Sequence, residues 1–201
     1  MNETLKRGLS GAVYVAIMWL GTSYSELSFH ILFSVILVIC LYEMWKLRKG
    51  KTKILAFIYV LTPLLLVHLY SQKIILFIFI LTWTFDTFAY LFGVRFGKTK
   101  IMPSISPKKS WEGFAGGFIF TVLASFITTH YFLKVDNSIA LAMSLFLPFT
   151  ATLGDFIESY YKRQAGVKDS GNFIPGHGGM LDRMDAFMIT IPALYIYLNI
   201  I

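Results

Sequence analysis

The sequence predicts an all-α, polytopic transmembrane helical bundle of about seven spans, and three observations carry that reading. First, the 201 residues are 56% hydrophobic and only 14% charged, where a soluble domain carries roughly a quarter charged residues. Second, the apolar residues fall in runs of about the 20 residues that a helix needs to cross a bilayer. Third, the basic residues gather in alternate connections between those runs. The mean hydropathy of +0.66 agrees.

Seven apolar stretches can be marked, at approximately 8–25, 27–45, 54–70, 74–94, 112–133, 138–159 and 184–201. Lys6 and Arg7 precede the first. No small-residue cleavage site follows cleanly and further apolar stretches come after, so the first reads as an anchor that stays. Pro63, Pro148 and Pro192 fall inside three stretches, where neighbouring helices must satisfy the freed carbonyls and kinks are expected. With the N-terminus in the cytoplasm and strict alternation, 16 of the 18 lysines and arginines lie on the cytoplasmic side, leaving Lys73 and Lys134 outside. The expected topology is therefore N-terminus cytoplasmic, C-terminus outside. The same rule accounts for the net charge of +7, and basic loops attract anionic headgroups. Nucleic-acid binding is excluded because no soluble module exists to carry it. The single cysteine, Cys40, excludes disulfides and Cys-based metal sites.

Three polar clusters fall on the cytoplasmic side. Asp86 lies inside the fourth stretch, with Tyr90 one turn later, and a carboxylate in hydrocarbon is costly unless paired or hydrated. The second cluster is Pro103 to Gly113, in which Ser106-Pro107 reads as the N-cap and first position of a helix. Lys108 and Lys109 beside such a helix start would suit a phosphate. The third runs from Gly154 to Asp185. Asp155, Glu158, Ser159 and Lys162 share one helix face, as do Asp182 and Asp185. A glycine-rich loop with Lys168, His177 and Arg183 joins them. Asp155 and Asp182 suit a Mg²⁺-nucleotide, since Mg²⁺ takes a few carboxylates and completes its shell with water and phosphate. His177 is a poor Mg²⁺ ligand and, beside Gly178-Gly179, contacts phosphate or shapes the loop.

The third cluster resembles the signature of the phosphatidate cytidylyltransferase (CDP-diacylglycerol synthase) family. It reads Ser159, Lys162-Arg163, Lys168-Asp169, Pro175 through Gly179, Asp182-Arg183 and Asp185 in order, without a gap. Asp86-Thr87 to Gly97-Lys98 and Ser106 through Gly113 are similar to two further motifs of that family, so that the likeness covers roughly residues 80 to 201. Phe88 stands where many members have glycine and Ala186 where serine is usual, and the chain has about two N-terminal spans fewer than typical members.

The resemblance implies a single integral-membrane cytidylyltransferase domain over 1–201, with N-terminal spans in 1–73 and a catalytic part in 74–201. It implies transfer of a cytidylyl group from CTP to phosphatidate, giving CDP-diacylglycerol and pyrophosphate, at the cytoplasmic face of a bacterial inner membrane. Mg²⁺ falls to Asp155 and Asp182, with Asp86 and Glu158 as secondary candidates and a second, monovalent cation left open. Lys168, His177 and Arg183 join the catalytic set. Asp86, Lys108, Lys109, Glu112, Ser159, Lys162, Arg163, Gly178 and Gly179 form the substrate-binding set. Homodimerisation stays open. The competing readings are a CTP-dependent transferase acting on another lipid phosphate or polyprenol, and an ion-coupled transporter using Asp86, Asp155 and Asp182.

Overall fold

The computed structural model describes residues 3–200, and the side chains of 8–199. The side chains of Lys6 and Arg7, and the end of the last apolar stretch at Ile201, lie outside the described residues. Seven α-helices follow one another: α1 (Glu3–Ser23), α2 (Glu26–Leu47), α3 (Ile54–Leu66), α4 (Gln72–Phe96), α5 (Trp111–Thr128), α6 (Asn137–Gln164) and α7 (Leu181–Ile200). Each covers one of the expected apolar stretches. Four of them (α2, α4, α5 with its following π-turn, and α6) are long and apolar enough to cross a membrane. Proline lies inside α3, α6 and α7, as the sequence requires.

Short polar signals set the helix ends. Ser25 and Ser28 cap α2 reciprocally, each hydroxyl accepting the other's amide at 3.0 Å. Asp136 starts α6. Its carboxylate accepts the Ser138 hydroxyl at 2.6 Å and the Ser138 and Ile139 amides, and these bonds hold it below the usual carboxylate range.

One expectation fails between α4 and α5. Ser106-Pro107 does not open a helix; Ser106–Ser110 is strand β2, paired antiparallel with β1 (Lys100–Met102). A two-stranded hairpin leaves both strands as edges, where a proline's missing N–H is tolerated. The helix begins at Trp111, with the Ser110 hydroxyl accepting the Gly113 amide at 3.2 Å. The glutamate that follows ties the hairpin down: the Glu112 carboxylate accepts the amides of Lys98 and Thr99, each at 3.1 Å.

α4 packs on α5, α6 on both α5 and α7, and α3 and α2 close the bundle against α7. Lipid is as apolar as leucine, so burial alone does not drive such packing; close fit and polar contacts between helices do. Phe29, Phe33, Phe79 and Phe187 form a buried chain of rings with centroids 4.7–6.4 Å apart. Polar contacts between helices come from Tyr59 (hydroxyl to the Gly154 carbonyl, 2.9 Å), Ser125 (to the Ala140 carbonyl, 3.0 Å) and the Thr150–Thr190 hydroxyl pair (2.8 Å). α6 and α7 approach closely at Gly154, where a Cβ would run into the Asp185 carbonyl. Glycine there lets Asp155 and Asp185 come together.

Candidate active site

Chain direction alternates through the bundle, so the starts of α1, α3, α5 and α7 meet the ends of α2, α4 and α6 at one end. Contacts across that end bear this out: Ser10 reaches His177, Arg48 reaches Gln164, and Lys109 reaches Asp155. All three polar clusters of the sequence therefore share one end of the molecule.

Two carboxylate groups form there. In the first, one oxygen each from Asp155, Glu158 and Asp185 lie within 4.8 Å of one another. Lys109, carried in by the hairpin, places its Nζ 2.7 Å from Asp155 Oδ2 as an ion pair. Glu158 is 0% exposed and meets the Lys162 ammonium one turn along α6. Asp155 Oδ2 and Glu158 Oε2 are thus buried against ammonium groups, and among the described residues Glu158 Oε1 is buried with no donor. With one acceptor unspent and every donor a hard oxygen, this carboxylate cluster is compatible with a divalent metal. Asp86 lies within electrostatic reach of Asp155, Asp185 and Lys109.

The second group is saturated. Asp182 Oδ1 accepts Lys162 Nζ at 2.7 Å, while Oδ2 accepts the amides of Gly179 (2.7 Å) and Ser170 (2.9 Å). The Ser170 hydroxyl lies 3.0 Å from that same oxygen and 2.9 Å from Glu43 Oε2. Lys162 thus bridges the two groups, meeting Glu158 on one side and Asp182 on the other.

The glycine-rich loop folds tightly over this end. Gly176 and Gly178 take φ of 79° and 86°, conformations that L side chains rarely adopt. The Ile174 amide bonds the Gly178 carbonyl at 2.9 Å. His177 Nδ1 stands 3.0 Å from the Ser10 hydroxyl, which donates to the Pro175 carbonyl at 2.7 Å. The Arg183 guanidinium donates to the His177 carbonyl.

Two cavities open beside Asp86. One, of about 300 Å³, is lined by Asp86, Asp182, Asp185, Arg183 and His177, with Gly11 and Tyr14 of α1 as its far wall. The other, of about 530 Å³, lies between α4 and the hairpin and carries Lys100, Lys108 and Lys109. An acidic cavity and a lysine-lined one thus share a single aspartate.

The structure therefore brings Asp155, Lys109, Lys162, Asp182, His177, Arg183 and Asp86 to one place. Ser159 is buried in α6. Lys168 is exposed on the loop, and Arg163 donates to the Val167 carbonyl at 3.0 Å. Glu112 is taken up by the hairpin amides. Sequence reasoning passed over Asp185, Glu43 and Ser10 as site residues. The i, i+3 spacing of Asp182 and Asp185 was the available signal for the first; Glu43 and Ser10 carried none.

Residues 55–201 match the model of the Cytidylyltransferase family. The chain is 46% identical to a phosphatidate cytidylyltransferase of Thermotoga maritima over 129 residues, which cover 60% of this chain and 47% of that protein. It is 44% identical to one from Staphylococcus epidermidis over 127 residues, 63% of this chain and 49% of the relative. For Staphylococcus aureus the figures are 48% over 126 residues, 62% and 48%. The chain spans about half the length of the curated relatives it matches. With the match running from α3 through α7, over most of the chain, the chain belongs to the cytidylyltransferase family.

Proposed function

We propose that this chain transfers a cytidylyl group from CTP to phosphatidate, giving CDP-diacylglycerol and pyrophosphate. The observation that carries the proposal is the cluster Asp155, Glu158 and Asp185: Asp185 lines the first cavity, and Lys109, ion-paired to Asp155, lines the second. The names of the relatives point to the same reaction.

In that reaction an oxygen of the lipid phosphate attacks the α-phosphorus of CTP, a new P–O bond forms, and the bond to the β-phosphate oxygen breaks. Pyrophosphate leaves with the electron pair. The attacking phosphate is already an anion at neutral pH, so no strong general base is needed. The protein's task is to position two polyanions and offset their charge. Lys109 and Arg183 supply positive charge at the shared edge of the cavities, and Lys100 and Lys108 extend it along the hairpin. Lys162 is held by Glu158 and Asp182 and keeps the two carboxylate groups in register.

A divalent cation fits the all-oxygen donor set. Asp155, Glu158 and Asp185 would hold it, with Asp182, the ligand expected from the sequence, tied to them through Lys162. Bound there, Mg²⁺ would neutralise charge building on the leaving pyrophosphate.

We further infer that the seven helices are seven spans, with the site on the cytoplasmic side of a bacterial inner membrane. Support comes from the 16 of 18 basic residues assigned to the site's side. An interfacial site of this kind lets CTP meet a lipid headgroup without either leaving its phase.

Purified protein incubated with labelled CTP and a panel of phosphatidate, other lipid phosphates and a polyprenol tests the reaction. CDP-lipid forming from phosphatidate is the expected result. Product from the polyprenol alone, or none from any acceptor, would overturn it.

A further inference from the structure

Glu43 is 4% exposed near the end of α2, ahead of residue 55, where the family match begins. Burying a carboxylate there is costly unless its oxygens find donors. They do. Oε1 accepts the Met180 amide at 3.0 Å, and Oε2 accepts the Leu181 amide at 2.9 Å and the Ser170 hydroxyl at 2.9 Å. Two of these donors are unsatisfied amides at the start of α7, where a negative charge is also favoured by the helix dipole. A carboxylate from α2 therefore caps a helix 137 residues further along the chain.

The loop is shaped around that carboxylate. A Cβ on Gly179 would lie 2.5 Å from Glu43 Oε2 and 2.6 Å from Oε1, and one on Gly171 would also strike Glu43. These two glycines leave room for a side chain from another helix. Gly179 in turn gives its own amide to Asp182, as Ser170 does. Fixing residues 170 and 179–181 thus fixes where Asp182 sits, and Asp182 holds Lys162 against Glu158.

We propose that Glu43 is a positioning residue for the site: it clamps the loop and the first turn of α7 to α2, and so sets the line Asp182–Lys162–Glu158 beside the reacting phosphates. Its effect on turnover rests on the cytidylyl-transfer reading, whereas its effect on the loop does not. Both Glu43 oxygens face protein donors, so it acts through Asp182 and touches no substrate.

The test compares the unaltered full chain with Glu43→Ala, Glu43→Gln and Ser25→Ala, the last weakening α2 at its far end by removing its cap. Steady-state turnover of CTP with phosphatidate, thermal midpoint and amide hydrogen exchange are measured on each. Glu43→Ala is expected to lower kcat about 10²-fold, the scale of a small misplacement of reacting groups, with little change in the KM for CTP. Exchange should rise about tenfold at Met180 and Leu181 and stay unchanged in α4 and α5, a local opening. Glu43→Gln keeps one acceptor and should fall between. Ser25→Ala should lower the midpoint without the kcat loss. The proposal is overturned if Ser25→Ala matches the kcat loss at an equal midpoint, or if exchange at 180–181 does not change. Should Glu43→Ala fail to fold, Glu43→Gln decides by the same two readouts. Should the unaltered chain turn over no CTP, the reaction reading fails, and the exchange pattern still decides whether Glu43 holds the loop.

Discussion

Asp155, Glu158 and Asp185 on one side of Lys162, and Asp182 with Glu43 on the other, are two groups of the same functional group at the same end of one bundle. They differ in what their oxygens do. In the first group, Asp155 Oδ2 and Glu158 Oε2 meet only ammonium groups, and Glu158 Oε1 meets no donor among the described residues. In the second, amides, a hydroxyl and an ammonium take up the acceptors. Unsatisfied buried acceptors are costly in a fold and persist where something else is to bind. The comparison teaches that carboxylate chemistry alone does not name a ligand site; unused acceptor capacity does.

The largest effect should come from the unfilled group. Asp155→Asn is expected to cut CTP-dependent product formation by about 10³-fold or more, since it removes charge at the point where phosphates gather. The thermal midpoint should hold, because the lost ion pair to Lys109 is offset by relief of repulsion from Glu158 and Asp185. A sharp fall in the midpoint would place Asp155 with the structural group instead. Chelation belongs to the same comparison. EDTA should stop turnover and added Mg²⁺ restore it, while the midpoint in EDTA reports how far the repulsion within the trio is relieved by a cation. Turnover that persists in EDTA would remove the metal from the reading.

Asp182→Asn probes the filled group and should move both quantities. Product formation is lost while the protein still inserts and folds. Stability falls by about 1–3 kcal/mol as Lys162 and two amides lose their charged acceptor. A loss of turnover with no stability change would mean that Asp182 works as part of the unfilled group. Lys109→Met comes next. Its ammonium is paired to Asp155 but only partly buried, and removing it should lower turnover by about 10- to 10²-fold with a raised KM for CTP. An unchanged KM would detach the hairpin from nucleotide binding.

The helices were legible in the sequence because a run of about 20 apolar residues has few other uses, and all seven stretches became helices. The site's end was legible from charge placement. The hairpin was not: Ser106-Pro107 carries the local chemistry of a helix start, and its pairing with Lys100–Met102 is a contact that no local pattern announces. Ser110, three residues before Gly113, was the better cap signal. The grouping of carboxylates was legible only in part. Spacing placed Asp155 with Glu158 on one face and Asp182 with Asp185 on another. Which member of the second pair meets the first depends on the close crossing at Gly154, a three-dimensional fact. Glu43 was invisible because its donors lie more than 120 residues away.

Ser170 lies where the comparison is finest, since its one hydroxyl proton faces both Asp182 Oδ2 and Glu43 Oε2 and can serve only one at a time. Ser170→Ala deletes that shared donor but leaves the Ser170 amide on Asp182 and the Met180 and Leu181 amides on Glu43. A saturated group that loses one of several donors should weaken by about 1.5 kcal/mol, the lower end of the range for a hydrogen bond to a charged group. Turnover should stay close to that of the unaltered chain, because every other donor that fixes the loop remains. Thermal unfolding and kcat measured side by side check this. If turnover collapses while the midpoint hardly moves, the hydroxyl is part of the reacting group, and the boundary between filled and unfilled carboxylates shifts to include Asp182.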